Sequence, residues 1–250
     1  MEKIKISVVS YLNSKPFIYG IQHSEVINKI DLQLDIPAVC AQKLIDGTVD
    51  VGLIPVAVIP LLKEAHIISD HCIGAVGKVA SVMLYSDVPL NEIKTVLLDY
   101  QSRTSVTLVK VLAQNFWNIH PEWIKAEANY ENSISGTTAA VIIGDRTFGL
   151  EGKYKYVYDL AEEWQKFTQL PFVFACWVAN KKLPDTFLSS FNEALQAGLD
   201  SRPQLIAEIT AGKKYNTDID TYLNKSISYD LSDAKKQALQ LFLSYLEKLS

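Results

Sequence analysis

The first third of the chain alternates between strand-like and helix-like hydrophobic patterns. Apolar and polar residues alternate over residues 4–9 and 31–36, which predicts two strands, and the short β-branched run at 49–54 predicts a buried third strand. We expect a helix between the last two, because Pro37 opens an apolar stripe that Gly47 ends. This β-α-β-α-β order predicts a parallel sheet with helices on its faces.

A second alternation of the same kind follows, and a helical tail completes the chain. The simplest packing sends this tail back onto the first half. The predicted extended segments are 66–75, 79–85, 94–98, 123–126, 139–143 and 172–178, and the predicted helices are 104–116, 145–150, 185–199, 204–211, 218–223 and 232–249.

The second alternation is nested between the first and the tail, which predicts an α/β chain with two lobes. We expect lobe 1 to hold residues 1–87 and 174–250 and lobe 2 to hold residues 88–173. The chain then crosses twice between the lobes, near Ser86 and near Phe174. Such a chain has a ligand cleft between its lobes, which closes by a hinge.

Composition narrows the class of protein. The 250 residues are 48% hydrophobic and 21% charged, and the net charge of −4 comes with no basic stretch that would follow a nucleic-acid backbone. Three cysteines lack zinc-ligand spacing and lie in apolar surroundings, which favours small buried residues in a reducing compartment. The N-terminus does not resemble a signal peptide, and the longest apolar run, 51–62, is too short for a bilayer. We therefore expect a soluble, cytoplasmic protein with no nucleic-acid or membrane partner.

Candidate site residues lie mainly where predicted strands end, because ligands of open parallel sheets bind beyond the carboxyl ends of the strands. Most of them carry a small hydroxyl, an amide or a single charge, and one lies in an extended stretch. The candidates are Ser10, Tyr11, Asn13, Ile54, Ser81, Ser102, Arg103, Thr104, Ser105 and Asp145.

The local sequence leaves two interpretations for each of the main candidates. Segment 102–105 leads into a helix, so its hydroxyls and unpaired N–H groups fit either an anion site or plain N-capping. Asn13 suits a hydrogen bond to a substrate hydroxyl or a turn that bonds its own backbone. Asp145 suits a general base or a helix cap, and Ser81 faces either the cleft or water.

The usual catalytic signatures are absent from the sequence. It contains no phosphate-binding glycine loop, hydrolase serine motif or metalloprotease helix, and its four histidines lie in unrelated contexts, so we predict no metal site. Glu162 and Glu163 are adjacent and are expected on a solvated helix face. Trp164 and Trp177 are expected in the core.

Six segments together resemble one enzyme family. S-Y-L-N-S-K-P at residues 10–16 is similar to the S-Y-L-N-x-x-P opening of MqnA, the chorismate dehydratase family of the futalosine route to menaquinone. The other segments that match in order are V-G-L-I-P-V at 51–56, S-V-M-L-Y-S-D-V-P at 81–89, S-R-T-S-V at 102–106, I-I-G-D at 142–145 and L-P-F-V-F-A-C-W at 170–177. The match runs from residue 4 to about 180, and the helical tail matches only in character.

The resemblance implies a type II periplasmic-binding-protein fold and a cytoplasmic enzyme that needs no metal or organic cofactor. Its implied reaction removes water from chorismate, a dicarboxylate, to give 3-[(1-carboxyvinyl)oxy]benzoate. Thr104 and Ser105 are then expected to bind one carboxylate, Asn13 and Ser81 to orient the reacting groups, and either Asp145 or a substrate carboxylate to act as the base. The expected substrate-binding set also includes Ser10, Tyr11, Ile54, Ser102 and Arg103.

Two other functions are compatible with the same fold. A small-anion binding protein would leave chorismate unchanged, but the sequence lacks the signal peptide, lipobox or helix-turn-helix domain expected of a transporter component or regulator. The sister enzyme of the same route makes dihydroxynaphthoate from cyclic dehypoxanthine futalosine, and the S-Y-L-N and S-R-T-S segments favour the dehydratase over it. The sequence does not predict the oligomeric state.

Overall fold

Two β-sheets with packed helices make up the fold. The computed structural model describes residues 3–212 and 214–249. The strands are β1 (Ile4–Val9), β2 (Ile30–Asp35), β3 (Val51–Pro55), β4 (His66–Ala75), β5 (Val82–Ser86), β6 (Thr95–Leu98), β7 (Glu122–Lys125), β8 (Thr138–Ile143), β9 (Tyr156–Asp159), β10 (Phe172–Ala179) and β11 (Ser228–Asp230). The helices are α1 (Lys15–Gln22), α2 (Pro37–Ile45), α3 (Thr104–Leu112), α4 (Leu160–Thr168), α5 (Asp185–Asp200), α6 (Arg202–Gly212), α7 (Ile219–Thr221) and α8 (Asp233–Glu247).

The first sheet has six strands in the order β11-β4-β10-β3-β1-β2. Strand β1 pairs in parallel with both β2 and β3, with Ile6 opposite Leu32 on one side and Val51 on the other. The predicted parallel sheet is therefore confirmed for the three N-terminal strands. The other half of the sheet is antiparallel, because β10 returns from the second sheet and pairs antiparallel with both β3 and β4.

The second sheet has five strands in the order β7-β6-β8-β5-β9. Strands β7, β6 and β8 are parallel, whereas β5 and β9 run antiparallel to their neighbours. Strand β5 thus belongs to the second sheet, although the predicted lobe 1 extended to residue 87. Strand β9 and helix α4 were not predicted, because a four-residue strand leaves little room for a readable alternation.

The core is centred on β10, all eight residues of which are buried. Trp164 and Trp177 are fully buried, as predicted, and all three cysteines are buried and free. Burial raises the pKa of the Cys40 thiol to about 12, so this thiol stays protonated. Glu163 differs from the expected solvated face: it is 7% exposed and accepts a 2.8 Å hydrogen bond from Trp117 Nε1.

The helical tail packs back onto the first half, as predicted. Helix α5 lies against α1, and α8 lies against β10 and α3. The contact between α1 and α5 depends on Gly20, because a Cβ built there would lie 2.0 Å from the carbonyl oxygen of Ala194. This packing also brings two tail tyrosines, Tyr222 and Tyr229, to the side chains described next.

Candidate functional site

A cavity lies between the two sheets, near the carboxyl ends of β1, β3 and β8 and the start of α3. Ligands of open parallel sheets bind at this edge. The polar lining residues are Tyr11, Asn13, Ser14, Ser81, Ser102, Thr104 and Ser105. The other lining residues are Val9, Pro37, Leu53, Pro55, Ile73, Val79, Val82, Ile143, Gly144, Phe174 and Ala175.

Asn13 enters the cavity from the loop after β1. A single 3-10 turn, Leu12–Ser14, follows the strand and leads directly into α1. The Oδ1 atom of Asn13 accepts a 3.2 Å hydrogen bond from Ser14 Oγ, and its carbonyl oxygen accepts a 3.0 Å hydrogen bond from Tyr229 Oη in the tail. Asn13 is therefore held by its neighbour and by the tail, with its side chain at the cavity wall.

Tyr11 reaches from this loop to the second sheet. Its Oη donates a hydrogen bond to Oε1 of Gln101, and its ring packs against Gly144, where an added Cβ would lie 2.7 Å from the ring. Burial raises the pKa of the Tyr11 phenol, which therefore remains a donor and does not serve as a base at neutral pH. Next to it, the N–H of Leu12 donates to Oδ1 of Asp145 at 3.1 Å.

Ser81 lies between the two sheets, directly after a strained residue. Ala80 has a φ of +60°, a left-handed conformation that costs a residue with a side chain about 1–2 kcal/mol. Asp159 holds this turn, because its Oδ2 accepts hydrogen bonds from the N–H groups of Val79 at 2.9 Å and Ala80 at 2.7 Å. Burial raises the pKa of Asp159 to about 6, against the lowering effect of these bonds. The buried carboxyl thus fixes where Ser81 stands.

Asp159 was not predicted as a site residue, although its local sequence contains a helix-start pattern. Its other oxygen caps α4 by accepting from the N–H groups of Ala161 at 3.0 Å and Glu162 at 3.2 Å. Aspartate followed three residues later by glutamate is a helix-start pattern. That pattern predicts the cap, but not the contact with a turn 79 residues away.

The start of α3 shows that capping and cavity lining occur together. Ser102 Oγ accepts from the N–H of Ser105 at 3.0 Å, which is the capping interpretation. The Thr104 hydroxyl donates its one proton to the carbonyl of Phe174 at 3.0 Å, and its oxygen accepts from the N–H of Ala57 at 3.3 Å. The Thr104 hydroxyl therefore has no proton left to donate to an anion. Ser105 is 3% exposed and lines the cavity.

A buried ionic cluster supports the loop that carries these residues. Asp99 is 2% exposed, and its carboxylate accepts from Tyr130 Oη at 2.8 Å and from the N–H groups of Gln101 at 2.9 Å and Ile143 at 3.1 Å. The guanidinium of Arg146 donates to the same carboxylate. The cluster ties the loop after β6 to the end of β8.

The structure brings six of the ten predicted site residues to one cavity: Tyr11, Asn13, Ser81, Ser102, Thr104 and Ser105. The other four do not line it. Ser10 and Arg103 are exposed, and Ile54 lies between two lining residues of β3 and so faces the opposite side of the strand. Asp145 stands half-buried in the 3-10 turn Gly144–Thr147, where a short helix at 145–150 was predicted.

The described cavity lining is neutral. Among residues 3–212 and 214–249, the lining includes no acidic, basic, histidine or cysteine side chain. Nor do the described residues contain a group of three or more His, Cys, Asp or Glu side chains that could hold a metal ion. Such a wall offers hydrogen bonds to a ligand's oxygens, and the start of α3 adds the positive end of a helix, which favours a carboxylate. In the described part of the chain, no helix combines the length and apolarity needed to cross a bilayer.

Similar solved structures define the class of fold. A crystal structure of a protein from Archaeoglobus fulgidus aligns with a TM-score of 0.71 at 14% identity, covering 99% of this chain and 97% of that one. A Candida albicans protein described as having the generic periplasmic-binding-protein fold aligns with a TM-score of 0.60 at 11% identity, over 99% and 94% of the two chains. The predicted α/β periplasmic-binding-protein-like fold is thereby confirmed.

Sequence comparison then gives the family. A family model described as menaquinone biosynthesis matches residues 4–248, and this chain belongs to that family. The chain is also 28% identical over 198 residues to a chorismate dehydratase from Thermus thermophilus, which covers 70% of this chain and 71% of the relative. The resemblance stated from the sequence motifs is thus confirmed at the level of the family.

Proposed function

We propose that this chain is a chorismate dehydratase, a hydro-lyase that removes water from chorismate to give 3-[(1-carboxyvinyl)oxy]benzoate in menaquinone biosynthesis. The observation that carries the proposal is the meeting of all six family-like segments in one cavity. They supply the loop after β1, the end of β3, the start of β5, the start of α3, the end of β8 and part of β10. The similar chorismate dehydratase supports the choice of substrate. The proposal includes the cytoplasmic location that the resemblance implies.

The chemistry needs a base and a binding site for two carboxylates. The C–H of the ring carbon that bears the enolpyruvyl ether is acidified through the diene conjugated to the ring carboxylate. Its electron pair forms a ring double bond as the neighbouring C–O bond breaks, and the departing hydroxyl takes up a proton and leaves as water. Aromatisation drives the step. Ser105 and the first-turn N–H groups of α3 would bind the ring carboxylate.

We assign the base to the substrate's own enolpyruvyl carboxylate. The neutral lining among the described residues supports this choice over Asp145, whose Oδ1 already accepts a hydrogen bond outside the lining. A carboxylate held over the ring reacts intramolecularly, which gives a weak base a large gain in effective concentration. Asn13 and Ser81 would fix the enolpyruvyl arm and the departing hydroxyl by hydrogen bonds. Neither is basic enough to take the proton itself.

Purified protein incubated with chorismate tests this proposal. We expect an aromatic product one water lighter than chorismate, detected by absorbance and mass, and a large loss of turnover in Asn13→Ala. Chorismate that raises the melting temperature but stays intact would mean a binding protein. Conversion of cyclic dehypoxanthine futalosine instead would mean the sister enzyme.

A further inference from the structure

Tyr222 is a residue of the helical tail that contacts the cavity lining from behind. It follows α7, is 2% exposed, and packs its ring edge-on against Phe148 with centroids 5.1 Å apart. Its Oη donates a 2.8 Å hydrogen bond to Ser81 Oγ, across 141 residues of sequence. Tyr222 does not itself line the cavity. Any effect on a ligand would therefore pass through lining residues that Tyr222 contacts, chiefly Ser81.

The protons of this pair can be assigned. The Tyr222 phenol donates to Ser81 Oγ in this pair, and burial raises the pKa of Tyr222, so the phenol keeps the proton for this bond at every ordinary pH. The Ser81 oxygen therefore accepts, and the Ser81 hydroxyl must donate its one proton elsewhere. The acceptor for it in the protein is the Val79 carbonyl at 3.5 Å, the far limit of a hydrogen bond. An oxygen of a ligand in the cavity is the better acceptor.

The same phenol is also near a second lining residue of the cavity, Asn13. The side chain of Asn13 lies near enough to the Tyr222 phenol to lower its pKa, against the larger effect of burial. A single tail residue thus links the two side chains proposed to orient the substrate, one after β1 and one before β5. Packing alone needs only the ring, which Phe148 contacts, and would be satisfied by phenylalanine.

We propose that Tyr222 is a positioning residue that holds the Ser81 hydroxyl with its proton directed at the departing hydroxyl of the substrate. This proposal rests on the proposed dehydratase function. Loss of the phenol hydroxyl frees Ser81 to rotate, so that the oriented donor is present for only part of the time. The chemical step slows, while the ring and the carboxylate contacts at α3 remain.

Tyr222→Phe tests the proposal, with Tyr154→Phe as the matched control. Tyr154, like Tyr222, is buried and does not line the cavity. Its phenol donates a 2.9 Å hydrogen bond to the carbonyl oxygen of Glu131. We expect Tyr222→Phe to lower kcat about 3- to 10-fold, the worth of one hydrogen bond, with KM changed less than about twofold. Tyr154→Phe should leave both constants at the wild-type values.

A double-mutant cycle separates positioning from a general loss of structure. In the Ser81→Ala background, Tyr222→Phe should lose most of its effect on kcat, because the group it orients is gone and only its relation to Asn13 remains. Full additivity of the two losses, or an unchanged kcat in the single variant, would overturn the positioning role alone. If the wild-type protein leaves chorismate intact, the proposed function falls and the role of Tyr222 with it.

Discussion

The backbone N–H of Leu12 donates a 3.1 Å hydrogen bond to Oδ1 of Asp145, joining the loop after β1 to the turn after β8. Tyr11 strengthens the same junction through Gln101 and Gly144. These contacts connect loops of the two sheets on one side of the cavity. We therefore assign Asp145 to holding the junction, and not to the chemical step.

Replacing Asp145 tests that assignment. Asp145→Asn keeps an oxygen that accepts from Leu12, so kcat for chorismate should stay within about threefold of wild type, whereas loss of a general base slows a reaction by about 10²- to 10⁴-fold. Steady-state kinetics measures the difference, with the melting temperature as the check on folding. A hundredfold loss in a folded variant would make Asp145 the base.

The two neighbours Thr104 and Ser105 should respond differently to loss of their hydroxyls. Thr104→Val leaves two buried partners unsatisfied, so we expect a free energy of unfolding lower by about 1–3 kcal/mol, read from urea denaturation. Ser105→Ala should keep its stability and raise KM for chorismate about 3- to 10-fold, because it removes a donor to the ligand. The reverse pattern would move the carboxylate contact to Thr104.

Gly144 should tolerate alanine less well than Gly136 does. Both glycines have positive φ, +64° and +54°, but an added Cβ meets the Tyr11 ring at position 144 and open space at position 136. We expect Gly136→Ala to lower the free energy of unfolding by about 1–2 kcal/mol, which is the cost of a left-handed backbone conformation for a residue with a side chain. Gly144→Ala should lose a further 1–3 kcal/mol or so from overpacking, and turnover with it. Equal losses in urea denaturation would show that the Tyr11 contact is unimportant.

The Asp230–Lys235 pair should make stability depend on pH at the acidic end. Burial raises the pKa of Asp230, but hydrogen bonds from Lys235 and Ser228 lower it by more, from 3.8 to about 2. The folded pKa is depressed, so this carboxylate stabilises the fold above pH 3.8, and the contribution is lost as the pH falls through 2. Its side chain is 64% exposed, which limits the contribution to less than about 1 kcal/mol.

Asp230→Asn measures this contribution. The variant should unfold at a lower urea concentration than wild type at about pH 7, and the difference should shrink at about pH 3. Lys235 retains the Ser228 and Asp230 carbonyls as acceptors in the variant, so the fold should persist. A gap between the two proteins that widens on acidification would contradict the depressed pKa.

The parallel half of each sheet could be predicted from the sequence, because alternation and β-branched runs are local properties of a segment. The cavity residues could be predicted because strand ends share one edge, and the resembling motifs mark those ends. The antiparallel pairing of β10 with β3 and β4 could not, since it depends on where the chain returns from the second sheet.

The residues that support the cavity from behind, Tyr222 and Asp159, could not be predicted from the sequence either. Tyr222 contacts Ser81 across 141 residues and Asp159 contacts Val79 across 80, and no local pattern encodes such partners. Thr104 was predicted as a ligand donor because its position suits one. Only the fold shows that its hydroxyl already donates to the carbonyl of Phe174 and accepts from the N–H of Ala57.

The central claim is that a neutral cavity lets chorismate supply its own base, and one comparison tests it most directly. Chorismate and its enolpyruvyl monomethyl ester are incubated in parallel with the protein, and product is followed by absorbance and mass. The account predicts that chorismate loses one water and becomes aromatic, while the ester competes for the cavity and stays unchanged. Intact chorismate, or turnover of the ester at a comparable rate, would contradict it.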